Sequence, residues 1–189
     1  MMDDMRLAAL IGSDPLLLPD GGATEIAGLT ADSREVRPGF LFAALPGTKL
    51  DGTRFIPQAI ERGAAALLVP AGSDVSAAVP VIADRNPRRR LALMAARFFG
   101  KQPRTVAAVT GTNGKTSIVT FVRQIWTILG YEAASLGTVG IETAKGGRPL
   151  GHTTPDPVTL QAALAGLADE GVTHLAMEAS SHGLAQYRL

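Results

Sequence analysis

The stretch Thr105-Val106-Ala107-Ala108-Val109-Thr110-Gly111-Thr112-Asn113-Gly114-Lys115-Thr116-Ser117 constrains the fold more than any other part of the chain. Its first residues are apolar and partly β-branched, as a short buried strand requires. Two glycines then make a loop. Lys115-Thr116 opens a segment, Ile118 to Leu129, that keeps a helical apolar pattern up to the stop residue Gly130. Strand, glycine loop, Lys-Thr and helix in this order form a phosphate cradle, because loop and helix N-terminal N–H groups converge on an anion. Gly111, Thr112, Asn113, Gly114, Lys115, Thr116 and Ser117 are therefore the candidate ATP or GTP contacts. Lys115 would reach the β/γ-phosphates and the Thr116 hydroxyl would hold Mg²⁺. The common form of such a loop has a glycine where this chain has Val109, so the loop is short. A plain strand-to-helix turn with a surface lysine is the bland alternative, and it does not explain why all the parts occur together.

Composition narrows the class. The 189 residues carry 46% hydrophobic and 19% charged side chains, ample for a globular core in one large domain or two small ones. A net charge of +1 gives no footprint for nucleic acid or an anionic membrane surface. The absence of cysteine excludes disulfides, thiolate zinc sites and a cysteine nucleophile. The acidic start Met1-Met2-Asp3-Asp4-Met5-Arg6 lacks the layout of a signal peptide, and no apolar run is long enough to insert in a membrane. A cytoplasmic α/β protein is expected.

Before the loop, the pattern predicts a short helix at Met5–Leu10 and strands at Ile26–Ala31, Phe40–Leu45, Ala65–Val69 and Val79–Ala83. A helix is predicted at Phe55–Arg62 and another after the cap Asn86 and Pro87, ending by Gly100. The polar connector Lys101-Gln102-Pro103-Arg104 predicts a domain boundary near residue 103, giving domains 1–103 and 104–189. Beyond it come strand 105–110, helix 116–129, a strand at Glu132–Leu136, the glycine loop 137–140, a helix starting at Asp156-Pro157, and a buried strand Val172–Met177 with Glu178 at its end. Alternation of strand and helix implies a parallel sheet whose ligands bind outside the carboxyl ends of the strands. Only about three parallel strands follow the boundary, so an N-terminal portion of a longer protein is expected.

Several clusters have two readings. Asp32-Ser33-Arg34 offers an acceptor, a hydroxyl and a cation to a nucleotide sugar, or is an ordinary polar turn. Thr153-Thr154 before Asp156 suits an anionic substrate, while Asp156 caps the helix. Glu178 is either a metal-binding carboxylate beside the phosphates or a buried structural one. His182 binds metal or substrate, or caps its loop. Arg88-Arg89-Arg90 is expected to be a solvated face.

Together these motifs resemble the Mur ligase family, the ATP-dependent amide-bond ligases of peptidoglycan precursor synthesis. The carrying residues are Thr110 to Ser117; Asp32-Ser33-Arg34 with Val36-Arg37-Pro38-Gly39; Asp51-Gly52 with Phe55 to Ile60; Leu136-Gly137-Thr138-Val139-Gly140; Thr153-Thr154-Pro155; and Met177 to Leu184 with Gln186 and Arg188. They cover almost the whole chain in family order. Folylpolyglutamate synthases share the ATP loop, whereas the Ser-Ser-His-Gly-Leu and Asp-Ser-Arg stretches point to the ligase that adds the third amino acid. The resemblance implies a small N-terminal α/β UDP-binding domain followed by the first part of a P-loop parallel-sheet ATPase domain. It implies that Ala31, Ser33, Thr48, Lys49 and Leu50 contact the UDP-sugar. It likewise places His152, Thr153, Thr154, Ser180, Gln186 and Arg188 around the muramoyl-dipeptide, although His152 stands where the family has asparagine. Lys115, Thr116 and Glu178 would be catalytic, with Thr116 and Glu178 as Mg²⁺ ligands. ATP and Mg²⁺ are the implied cofactors. The implied substrates are UDP-MurNAc-L-Ala-D-Glu and an amino acid, diaminopimelate or lysine. A monomer is expected, without nucleic-acid or membrane partners. A regulatory nucleotide-binding module is the non-enzyme alternative.

Overall fold

The computed structural model describes residues 4–12, 22–47, 51–151 and 153–189. The chain divides into two compact units, Met1–Phe98 and Phe99–Leu189.

In the first unit, β1 (Met5–Arg6) leads into α1 (Leu7–Ile11), and β2 (Glu25–Ile26) pairs antiparallel with β1. Then follow β3 (Gly28–Thr30), β4 (Phe40–Ala43), a 3₁₀ turn Gly52–Phe55, α2 (Ile56–Glu61), β5 (Ala66–Pro70), β6 (Val81–Asp84) and α3 (Pro87–Phe99). β3 to β6 form a four-stranded sheet in sequence order, parallel throughout. The central strands are apolar on both faces, as buried parallel strands are. Phe42, Leu67 and Val69 pack with Val36, Ile56 and Ala59 into the core. Asn86 caps α3, its Oδ1 accepting from Arg89 N at 3.0 Å, and Pro87 occupies the first helical position.

The arginine run departs from the expected solvated face. Arg90 is 5% exposed, and its Nε donates to Asp84 Oδ2 at 2.6 Å. Asp84 also accepts from Asn86 N at 2.7 Å. The periodicity of α3 explains this: Arg90 shares its inward stripe with Pro87, Leu91 and Met94, so it is carried toward the sheet edge where Asp84 ends β6.

The second unit contains β7 (Thr105–Val109), α4 (Lys115–Ile128), β8 (Ala133–Gly137), β9 (Gly140–Thr143), β10 (Gly146–Arg148), α5 (Pro157–Asp169), β11 (His174–Glu178) and α6 (Ser181–Ala185). The strand order is β10-β9-β8-β11-β7. β8, β11 and β7 are parallel, as expected; β9 and β10 add an antiparallel extension. Leu160, Leu164 and Leu167 of α5 pack on Ala134, Leu136, Leu175 and Met177. Asp156 caps α5 by accepting from Val158 N and Thr159 N. Val119 of α4 is buried, whereas Ile118, Phe121, Ile125 and Ile128 of the same helix are exposed.

Candidate functional site

The glycine loop joins β7 to α4. Gly111 has φ +146° and Gly114 has φ +80°, with no atom near enough to bar a side chain at Gly114. Glycine is needed at Gly114 for its left-handed backbone, not for space. Thr112, Asn113 and Gly114 are exposed, so no packed side chains fill the turn. Lys115 Nζ donates back to Gly111 O at 2.7 Å, lying across its own loop.

Register brings the acidic partner to this loop. Glu178 ends β11 level with Val109 of β7, and Ala179 N donates to Val109 O at 2.8 Å. Glu178 is 1% exposed, and such a carboxylate must be hydrogen-bonded to be tolerated. Its Oε1 accepts from Thr116 Oγ1 at 2.9 Å and from Thr138 N at 2.9 Å; its Oε2 accepts from Thr138 Oγ1 at 3.2 Å. The two residues expected to share a metal are thus hydrogen-bonded neighbours.

Their chemistry fits Mg²⁺. That ion takes one or two protein oxygens, keeps several waters and completes its shell with phosphate oxygens. A hydroxyl and a carboxylate side by side at the exit of a glycine loop suit it. No group of three or more His, Asp or Glu side chains able to hold a metal occurs among the described residues. A site completed by water and phosphate needs none.

A second cluster surrounds the carboxyl end of β11. Thr154, 2% exposed, donates from Oγ1 to Glu178 O at 3.3 Å and accepts from Ser180 N at 3.1 Å. Ser180 Oγ accepts from Gly183 N and caps α6. Arg188 donates to Thr154 O at 2.8 Å, and through Nε and Nη2 to Gln186 Oε1 at 3.0 and 2.6 Å. Because Arg188 only donates, it fixes the Gln186 amide oxygen toward itself and leaves the Gln186 NH₂ to donate to His182 Nε2 at 2.8 Å. The structure therefore brings together Thr154, Ser180, Gln186 and Arg188, with His182 on α6 beside them; the Thr153 hydroxyl lies 3.1 Å from that of Thr138 instead. His152 lies outside the described residues.

In the first unit, Ala31, Asp32, Ser33, Arg34, Phe55 and Gln58 line a cavity of about 480 Å³. Ser33 is buried and donates to Gln58 Oε1 at 2.7 Å. Asp32 and Arg34 pair with each other at 2.6 Å, and Arg34 N also donates to Asp32 Oδ1. That hydrogen-bonded guanidinium holds the Asp32 carboxyl below the usual carboxylate range. Asp32 and Arg34 thus form a paired polar turn, and all three residues line the cavity. Thr48, Lys49 and Leu50 lie outside the described residues.

Comparison with known proteins agrees with this geometry. Residues 109–189 match the family model described as Mur ligase middle domain, and residues 25–99 match the one described as Mur ligase family, catalytic domain. The chain belongs to the Mur ligase family. Among Mur ligases, it is 54% identical over 185 residues to the UDP-N-acetylmuramoyl-L-alanyl-D-glutamate--2,6-diaminopimelate ligase of Bradyrhizobium diazoefficiens, covering 98% of this chain and 38% of that protein. The ligase of the same name from Agrobacterium fabrum is 57% identical over 175 residues, covering 92% and 35%. A solved structure of a ligase of that name superposes with a TM-score of 0.83 at 30% identity, over 99% of this chain and 38% of the other. The chain thus spans under two fifths of the length of these Mur ligase relatives. MurF from Acinetobacter baumannii, at 21% identity and a TM-score of 0.65, shares the fold.

Sequence reasoning assigned no role to Thr138, Gly137 or Gln58. Thr138 and Gly137 lie in the Leu-Gly-Thr-Val-Gly stretch that carried the Mur ligase resemblance. Their contact with Glu178 depends on the adjacency of β8 and β11, whose strands are separated by a hairpin and a helix in the chain.

Proposed function

We propose that the protein containing these residues is an ATP-dependent carboxylate–amine ligase of peptidoglycan precursor synthesis. It adds the third amino acid to UDP-MurNAc-L-Ala-D-Glu. The observation that carries this reading is the Thr116–Glu178 pair at the exit of an open glycine loop, in a chain of the Mur ligase family. Meso-diaminopimelate is favoured over L-lysine because the relatives of about half identity are named as diaminopimelate ligases.

In this reading the γ-phosphoryl group of ATP passes to the γ-carboxylate of D-glutamate, giving an acyl phosphate and ADP. The incoming amine attacks the acyl carbon, an amide forms and phosphate leaves. Lys115 neutralises charge on the transferring group, and loop N–H groups orient the phosphates. Thr116 and Glu178 would hold Mg²⁺, which when bound neutralises phosphate charge. Thr153, Thr154, Ser180, Gln186 and Arg188 orient the muramoyl-dipeptide, with His152 in the same segment. Ala31 and Ser33, with Thr48, Lys49 and Leu50, receive the UDP. In domain terms, residues 1–103 bind the UDP-sugar and 104–189 begin the ATPase domain. The setting is cytoplasmic.

The test is amide formation by the full-length protein from ATP, UDP-MurNAc-L-Ala-D-Glu and either diaminopimelate or lysine. Turnover with diaminopimelate is expected. Turnover only with a folate and glutamate would replace this reading with that of folylpolyglutamate synthase; none with any acceptor would leave a nucleotide-binding module. The 189-residue chain by itself is expected to be inactive in the same assay.

A further inference from the structure

Glu178 is held by two residues, and one of them has had no role so far. Two of the three hydrogen bonds to its carboxylate come from Thr138, one from the backbone N–H and one from the hydroxyl. Thr138 and Val139 are the two-residue turn between β8 and β9, where Gly137 pairs with Gly140. β8 lies beside β11, and Leu136 is level with Met177, so the turn stands next to Glu178. A Cβ on Gly137 would collide with the Glu178 carboxylate itself. The turn therefore supplies two donors and, through the bare glycine before them, the space in which the carboxylate lies.

The direction of the hydroxyl chain is also fixed. Thr138 Oγ1 lies 3.1 Å from Thr153 Oγ1, where either could donate. The single Thr138 hydroxyl proton is given to Glu178, so Thr153 must be the donor. Thr153 O–H donates to Thr138 O–H, which donates to Oε2; Thr116 O–H donates to Oε1. With its proton turned toward Glu178, Thr116 has its oxygen lone pairs free to bind a cation.

We propose that Thr138 is a positioning residue, whose N–H and hydroxyl lock the Glu178 carboxylate over Gly137 in its cation-binding orientation and link it to Thr153. This rests on the ligase reading above, in which Glu178 and Thr116 hold a divalent cation. Residues that orient a metal ligand in this way change metal affinity about 10–100-fold when altered.

The test uses the full-length protein with ADP, and Mn²⁺ as a paramagnetic probe whose free concentration is read by electron paramagnetic resonance. Thr138→Val keeps the N–H and removes the hydroxyl. It is expected to weaken Mn²⁺ binding to the ADP complex about tenfold, with ADP affinity in excess chelator and the melting temperature unchanged. Thr138→Ser restores the hydroxyl and should recover most of the Mn²⁺ affinity. Gly137→Ala, which displaces the carboxylate while keeping Thr138, should weaken Mn²⁺ as Thr138→Val does. Unchanged Mn²⁺ affinity in Thr138→Val overturns the proposal. So does a loss that Thr138→Ser fails to recover, since packing would then be the cause. If the unaltered protein binds no Mn²⁺ with ADP, the ligase reading falls and takes this one with it. A defect or lack of one confined to the variants bears on Thr138 alone.

Discussion

At the scale of single residues, the buried Glu178 and the partly buried Asp84 have opposite companions. Glu178 is surrounded by neutral donors, whereas Asp84 faces the Arg90 guanidinium with side chains only 14% and 6% exposed. Burial pushes the Asp84 carboxyl up, but the Arg90 hydrogen bond and the Asn86 N–H more than offset this and leave it below the usual range. A depressed folded-state pKa means stabilisation that is present above the unfolded value and is lost as pH falls through the folded one. Asp84→Asn is expected to destabilise the first unit by about 1–3 kcal/mol at pH 7, because it removes the charged acceptor shared by Arg90 Nε and Asn86 N. That difference should begin to shrink as pH falls below about 4, where the unfolded chain takes up its proton, and disappear only at the lower pH where the native carboxyl does so too; thermal melts of both forms from pH 7 down into the acid range check it. At the loop, Lys115→Met in the full-length protein should lower kcat about 10²–10³-fold, the scale of losing one transition-state charge contact. ADP release under saturating substrates measures this.

At the scale of elements, legibility followed locality. α4 and α5 were readable because each carries its own signals, a helical apolar period and Asp156-Pro157 as a start; β7 was readable as a strand from its partly β-branched run but not as the buried one expected, since it is the sheet's edge strand and none of its residues is buried. Asp156→Ala should cost about 1 kcal/mol, since two N–H groups of the first turn of α5 lose their acceptor; chemical denaturation gives the value. The β9–β10 hairpin was not readable. Gly146-Gly147-Arg148 is exposed and glycine-rich, without alternation, and becomes a strand only by pairing with Ile141–Thr143. α6 was missed because five residues are too short for a periodic signal, and it is defined by its Ser180 cap. Arg90 was misread because a triple-arginine run looks solvated until the helix phase puts its third member inward. The candidate site was legible where one motif contains it, as at Gly111–Ser117. It was illegible at Thr138, whose contact with Glu178 depends on which strand lies next to which.

At the scale of the whole molecule, each unit has a core of its own, and the chain corresponds to 38% of its Bradyrhizobium relative. In the second unit, α4 leaves Phe121 59% and Ile128 84% exposed, with Ile118 and Ile125 on the same stripe. Contiguous exposed apolar surface of this kind is unusual for a soluble protein. The 189-residue chain should therefore enhance the fluorescence of an apolar dye such as anilinonaphthalene sulfonate while folded. Phe121→Glu combined with Ile128→Glu should largely abolish that signal with little change in circular dichroism. A final consequence follows from Lys115, whose ammonium already rests on the carbonyl of Gly111. In the proposed ligase an arriving triphosphate would not capture a naked cation. It would evict a resident acceptor, so nucleotide affinity would report the difference between two embraces of the same lysine, and anything that loosened the carbonyl's hold would tighten the grip on the guest.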